Sequence, residues 1–150
     1  MNNKDALKRA MALCARKEYC RSEVAMKLES WGVSVSDHES LLDELTKLGF
    51  IDERRYVSAY VRDKVRFNQW GRIRIRYMLA GKKIPPEVIE EGFEGVEQSL
   101  FTEVLIDLLH KKDKTLRSES DPWIRKQKLI RFAAGRGFEM DEILKAIGDL

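Results

Sequence analysis

Two histidines, His38 and His110, and two cysteines, Cys14 and Cys20, are the side chains from which metal ligation or thiol chemistry would have to be built in this 150-residue chain. His38 falls inside Ser36-Asp37-His38-Glu39, which reads as an S-x-x-E capping box, and His110 falls near the end of an amphipathic stretch. Neither sits in a Cys or carboxylate pattern that suggests metal ligation or a nucleophile. The cysteines stand six residues apart among apolar helix positions, the pattern of buried, reduced thiols. Gly81-Lys82 resembles the end of a phosphate loop, but Arg76 occupies the first glycine position and Lys83 the place of the Ser or Thr that holds magnesium. Gly135-Arg136-Gly137 lacks the third glycine of a dinucleotide motif and follows a helical pattern, so it reads as a helix exit. Glu90 and Glu91 are consecutive and point about 100° apart on a helix, which prevents them from serving one reacting group. These residue types predict no catalytic residue, no metal site and no cofactor.

What the chain does supply is placed charge. Residues 54–83 hold ten Lys and Arg against one acid, Asp63, a local charge of +9 on a chain whose formal total is +3. Glu87, Glu90, Glu91, Glu94 and Glu97 follow without a basic residue between them. Such blocks point to a polyanionic partner. The rival is a merely solvated basic face, common in helical proteins that are 35% charged. Candidate contacts form two patches: Arg62, Arg66, Arg72, Arg74, Arg76, Lys82 and Lys83 in the middle, and Arg125, Lys126, Lys128, Arg131 and Arg136 nearer the end. Two weak patches on one body bind bivalently.

Aromatic residues interleave the basic segment at Tyr56, Tyr60, Phe67, Trp70 and Tyr77, as stacking on unpaired bases would require. Tyr56 and Tyr60 are i and i+4 on an apolar face and read as core, whereas Phe67 and Trp70 flank a turn and fit either role. Helix-turn-helix reading of duplex DNA is a second rival. Only Arg72 and Arg74 suit base-reading positions, and three dissimilar units without half-site logic fit backbone contacts better.

The elements that must position these residues are helices. Apolar positions recur at helical spacing in Leu7, Met11 and Cys14, in Val24, Leu28 and Trp31, and in Leu41, Leu42, Leu45 and Leu48. Gly49 stands at a left-handed exit, Asp52 at the cap of the next helix, Pro85-Pro86 at the start of another, and Asp121-Pro122 at a further cap. Arg72-Ile73-Arg74-Ile75-Arg76-Tyr77 alternates with period two, yet Ile75, Met78 and Leu79 share a helical face and a lone strand would have no partner. Val24, Leu28 and Val33 correspond to Ile75, Leu79 and Ile84 at an offset of 51, and Ile84, Val88 and Ile89 to Phe138, Glu142 and Ile143 at 54. This periodicity predicts an all-α, elongated tandem array of three three-helix repeats over residues 1–50, 51–96 and 97–150. The longest apolar run, residues 10–15, is far short of the roughly 20 needed to cross a bilayer. The first residues carry no apolar export segment, so a cytoplasmic location is expected.

Three ordered motifs then carry a resemblance. They are Leu48-Gly49-Phe50-Ile51-Asp52-Glu53-Arg54-Arg55-Tyr56, next Trp70-Gly71-Arg72-Ile73-Arg74-Ile75-Arg76 with Leu79 and residues 82–84, and finally Arg131-Phe132-Ala133-Ala134-Gly135-Arg136-Gly137-Phe138. Together the chain resembles the RecX family of recombinase regulators. The resemblance implies a non-enzymatic array of three-helix repeats that binds the RecA filament on single-stranded DNA; the chain is expected to act as a monomer, with duplex DNA as a further ligand. It would limit filament extension, ATP hydrolysis and strand exchange. It also implies that Gly49 and Asp52 hold the first junction, that Arg55 and Tyr56 open the next helix, and that Gly71, Arg74, Ile75 and Leu79 form the middle signature. Gly137 and Phe138 close the last one, and Arg55 and Arg74 are the favoured partner contacts. The chain departs from the family at Arg72, where proline is usual, at Lys83, where glycine is usual, and at Ala133, where a larger residue is usual. Lys83 should strain the turn before Pro85.

Overall fold

The structure, a computed structural model, describes all 150 residues and contains nine α-helices and no strand. They are α1 (Asn3–Arg16), α2 (Arg21–Ser30), α3 (Val35–Lys47), α4 (Glu53–Asn68), α5 (Arg72–Gly81), α6 (Pro86–Glu94), α7 (Gln98–Thr115), α8 (Pro122–Gly135) and α9 (Met140–Gly148). The all-helical array read from the periodicity is therefore what the chain forms. In the ambiguous segment the helical period wins over the strand period: Ile75 and Leu79 are fully buried, while Ile73, which a strand would bury with Ile75, is 54% exposed. No helix is long and apolar enough to cross a membrane.

The chain folds as two compact units, one of Met1–Ala59 with Leu79–Phe93 and the other of Tyr60–Met78 with Glu94–Leu150. Helices α4 and α5 are each divided between them.

In the first unit Ala6, Ala10, Val24, Leu28, Leu45 and Ile51 pack into one core with Cys14 at its edge. Both thiols are free and buried, and burial pushes each above its ordinary pKa. Gly49 takes the left-handed conformation at φ +82°, and the Asp52 carboxylate accepts the Arg55 amide at 3.1 Å, as the cap pattern requires. The box expected at Ser36 is not formed. Helix α3 already begins at Val35, so Ser36 lies inside it with its hydroxyl 3.0 Å from that of Ser34, and Glu39 pairs with Arg21 at 2.6 Å. His38 Nε2 instead sits 3.1 Å from the Val33 carbonyl. A reciprocal box exists one helix earlier, where Glu23 accepts the Cys20 amide at 3.2 Å. Gly92 abuts Val57, and the Ser58 hydroxyl donates to the Gly92 carbonyl at 2.8 Å, which seats α6 directly on α4.

The second unit has a core of Leu105, Leu109, Leu129, Ala133, Phe138 and Ile143 with Leu108 and Ala146. Asp121 caps α8 by accepting the Trp123 amide at 2.9 Å. The sequence register is visible as equivalent burial: Val24 and Ile75, Leu28 and Leu79, and Val33 and Ile84 are all at most 5% exposed. Ala133 stands 54 residues after Leu79 and is fully buried, so the last copy keeps the position with a smaller side chain.

Candidate functional site

Ten of the candidate cations belong to the second unit: Arg62, Arg66, Arg72, Arg74 and Arg76 from α4 and α5, and Arg125, Lys126, Lys128, Arg131 and Arg136 from α8 and its exit. Arg55, Lys82 and Lys83 belong to the first.

The two groups in the second unit meet through backbone. The amide of Gly71, which caps α5, donates to the Arg136 carbonyl at 2.9 Å, and that of Ile73 donates to the Gly137 carbonyl at 2.9 Å. First-turn amides have no partner within their own helix, so the α8–α9 turn supplies what α5 lacks. This approach requires bare backbone on both sides. A Cβ on Gly71 would come within 3.0 Å of Gly137 and Phe138 backbone atoms, and one on Gly137, itself at φ +92°, would come within 2.7 Å of the Arg74 amide nitrogen.

Flanking that junction, the Arg72 guanidinium pairs with Glu142 at 3.0 Å, donates to Gln98 and lies 3.8 Å over the Phe101 ring. The side chains of Arg72 and Glu142 are only 16% and 14% exposed. Arg76 pairs with Glu139 at 3.1 Å. These two arginines, expected to face a partner, hold α5 to the start of α9 instead. Residue spacing gave no sign of these pairs, which join positions 70 and 63 residues apart.

Other candidates are also engaged within their unit. Arg125 pairs with Asp113 at 2.7 Å, Lys128 with Glu119 at 3.4 Å, Arg62 donates to the Gly95 carbonyl at 2.6 Å, and Arg136 to the Asn68 carbonyl at 3.1 Å. In the first unit Arg55 pairs with Glu18 at 2.6 Å and donates to the Gly49 carbonyl at 3.1 Å. Lys82 pairs with Glu23 at 3.0 Å, and the Tyr56 hydroxyl reaches the same carboxylate at 3.2 Å. Burial pushes the Glu23 pKa up, but the bonds from Lys82, the Cys20 amide and Tyr56 outweigh it and hold the group below its ordinary value.

Arg66, Lys83, Lys126 and Arg131 are exposed, with side chains in no ion pair or hydrogen bond. Arg74 is exposed as well and lies 4.5 Å over the Trp70 ring. Lys83 adopts φ +63°, the strained left-handed turn foreseen before Pro85. Ile75, Leu79 and Phe138 of the structural motifs are buried as core and Tyr56 nearly so. Arg21 was not foreseen. It bonds Glu39, Asp43 and Thr46 through its guanidinium and Glu53 through its amide, and its lone position in the sequence gave no sign of this.

Against known proteins, the family model described as "RecX, second three-helix domain" matches residues 52–92, and that described as "RecX, third three-helix domain" matches residues 102–147. The protein named regulatory protein RecX of Chlorobaculum tepidum is 30% identical over 142 residues, covering 95% of this chain and 86% of that one. Its namesake in Legionella pneumophila is 32% identical over 142 residues, covering 94% and 91%. The crystal structure of RecX from Lactobacillus salivarius superposes with a TM-score of 0.86 at 22% identity, covering 98% of this chain and 95% of that one, which establishes the shared fold. The two domain matches, with full-length similarity at this identity, place the chain in the RecX family.

Proposed function

We propose that this chain regulates the RecA recombinase by occupying its filament on single-stranded DNA, so limiting filament extension, ATP hydrolysis and strand exchange while making and breaking no bond itself. The observation that carries the reading is the surplus of exposed cations on the second unit: Arg66, Arg74, Lys126 and Arg131 all remain available after the internal ion pairs are made. A nucleoprotein filament is a polyanion with repeating sites, and several weak contacts from one body sum on it. We read the chain as three repeats over residues 1–50, 51–96 and 97–150 acting as a cytoplasmic monomer, with Lys83 and Arg55 as contacts offered by the first unit.

Charge reversal at Arg66, Lys126 and Arg131 tests this without touching the ion pairs. Binding to recombinase-coated strand should weaken, and the dependence of log affinity on log salt should flatten by roughly 0.7 for each phosphate no longer neutralised. Unchanged binding at moderate salt, with helicity intact by circular dichroism, would leave these residues as solvated surface and refute the reading.

A further inference from the structure

Phe67 and Tyr77 are each 77% exposed, in a chain whose remaining phenylalanines are buried or half-buried. Core packing accounts for Tyr56 and Phe101 but not for these two rings. Around them, cations lie on aromatic faces. Lys64 and Arg74 stand 5.2 and 4.5 Å from the centre of the Trp70 ring. Lys64 is three residues before Phe67 on α4, and Arg74 three before Tyr77 on α5, so each exposed ring neighbours one of the cations that grip Trp70. Toward α8 the pattern repeats. Lys112 and Arg136 lie 4.9 and 5.3 Å from the Phe132 ring, and Arg136 reaches the carbonyl of Asn68, the residue next to Phe67. A pocket of about 270 Å³ lined by Lys112, Leu116, Lys128, Arg131 and Phe132 adjoins that ring. Of the acids close to these positions in the chain, Asp113 is already paired with Arg125 and Glu119 with Lys128, and Asp63 lies on α4.

We propose that this cation-lined row of rings in the second unit is a track for unpaired nucleotides, with bases stacked on Phe67 and Tyr77 and phosphates on Arg66, Arg74 and Arg131. Unpaired strands expose both faces of each base and carry one phosphate per nucleotide, which matches alternating rings and cations; a duplex hides the base faces and offers the rings nothing. Stacking tolerates any base, so the track selects single strands without selecting sequence. The inference adds direct base contact to the proposed filament-directed function and rests on that reading only for its setting.

The test uses naked oligomers in fluorescence anisotropy. The unaltered protein should bind a thymidine oligomer at least about tenfold more tightly than an abasic oligomer of equal length and charge, and more tightly than duplex. Phe67→Ala with Tyr77→Ala should bring thymidine binding down to the abasic level while leaving the salt slope unaltered, and Phe67→Trp should retain it. Equal affinity of the unaltered protein for thymidine and abasic strands overturns the proposal, and needs no variant. Loss of recombinase-coated-strand binding in the double variant, with thymidine affinity unchanged, would assign the rings to a protein partner and overturn it too. Ring-dependent oligomer binding by a protein that leaves recombinase filaments untouched would sustain the track and refute the filament function alone.

Discussion

Gly71→Ala is expected to be among the most damaging single-methyl changes the chain can suffer. The added carbon would lie within 3.0 Å of the Gly137 carbonyl and the Phe138 nitrogen, which are backbone atoms without a rotamer to yield. Relief requires α5 to move away from the α8–α9 turn, stretching the bonds from the Gly71 and Ile73 amides, both 2.9 Å. Overpacking costs about 1–3 kcal/mol and each backbone hydrogen bond about 1 kcal/mol net, giving about 3–5 kcal/mol. Gly32→Ala is the control. Its backbone is left-handed at φ +78°, but nothing lies within 4 Å of the new carbon, so only the conformational cost of about 1 kcal/mol applies. Urea unfolding followed by far-UV circular dichroism compares the two, and amide exchange at Ile73 reports the junction itself, with faster exchange expected in Gly71→Ala only. If Gly71→Ala costs no more than Gly32→Ala, the packed-backbone account of the junction is wrong.

Three further changes follow from the same geometry. Arg72→Ala leaves the mostly covered Glu142 carboxylate without its cation and uncovers Phe101, and should cost about 2 kcal/mol, whereas Arg66→Ala should stay within about 0.5 kcal/mol of the parent; similar unfolding midpoints for both would contradict the clamp. Lys83→Gly relieves a left-handed lysine at φ +63° and should raise stability by up to about 1 kcal/mol, read as a higher urea midpoint; a lower one would argue against strain there. Glu23 has a folded pKa below its ordinary value of about 4.5, so its stabilising share is complete above that value and is lost as pH falls through the folded one. Glu23→Gln should therefore destabilise the protein at neutral pH and flatten its acid unfolding profile. Identical profiles for variant and parent would show that the Lys82 and Tyr56 bonds contribute nothing.

Much of the fold was legible because apolar spacing encodes it: a buried residue every third or fourth position forces helices, and equal offsets at Val24 and Ile75 or Leu28 and Leu79 reveal repetition. Glycines at forced left-handed turns, such as Gly49 and Gly137, and side-chain caps such as Asp52 and Asp121 were equally readable, since their chemistry is local. The box assigned to Ser36 failed because an S-x-x-E pattern also occurs inside a helix, and the N-cap of α3 lies two residues earlier, at Ser34. The charge block was seen, but its internal division was not. Whether an arginine faces a carboxylate some 70 residues away, as Arg72 faces Glu142, depends on tertiary placement, which residue spacing does not contain.

Regulation by occupancy meets its sharpest test when the protein is titrated against naked single strand, duplex and recombinase-coated strand at one salt concentration, while the recombinase's ATP hydrolysis is followed in the last. Preference for the coated strand, with hydrolysis falling as it becomes occupied, is the predicted result. Equal affinity for all three, or full occupancy with hydrolysis unchanged, would contradict it.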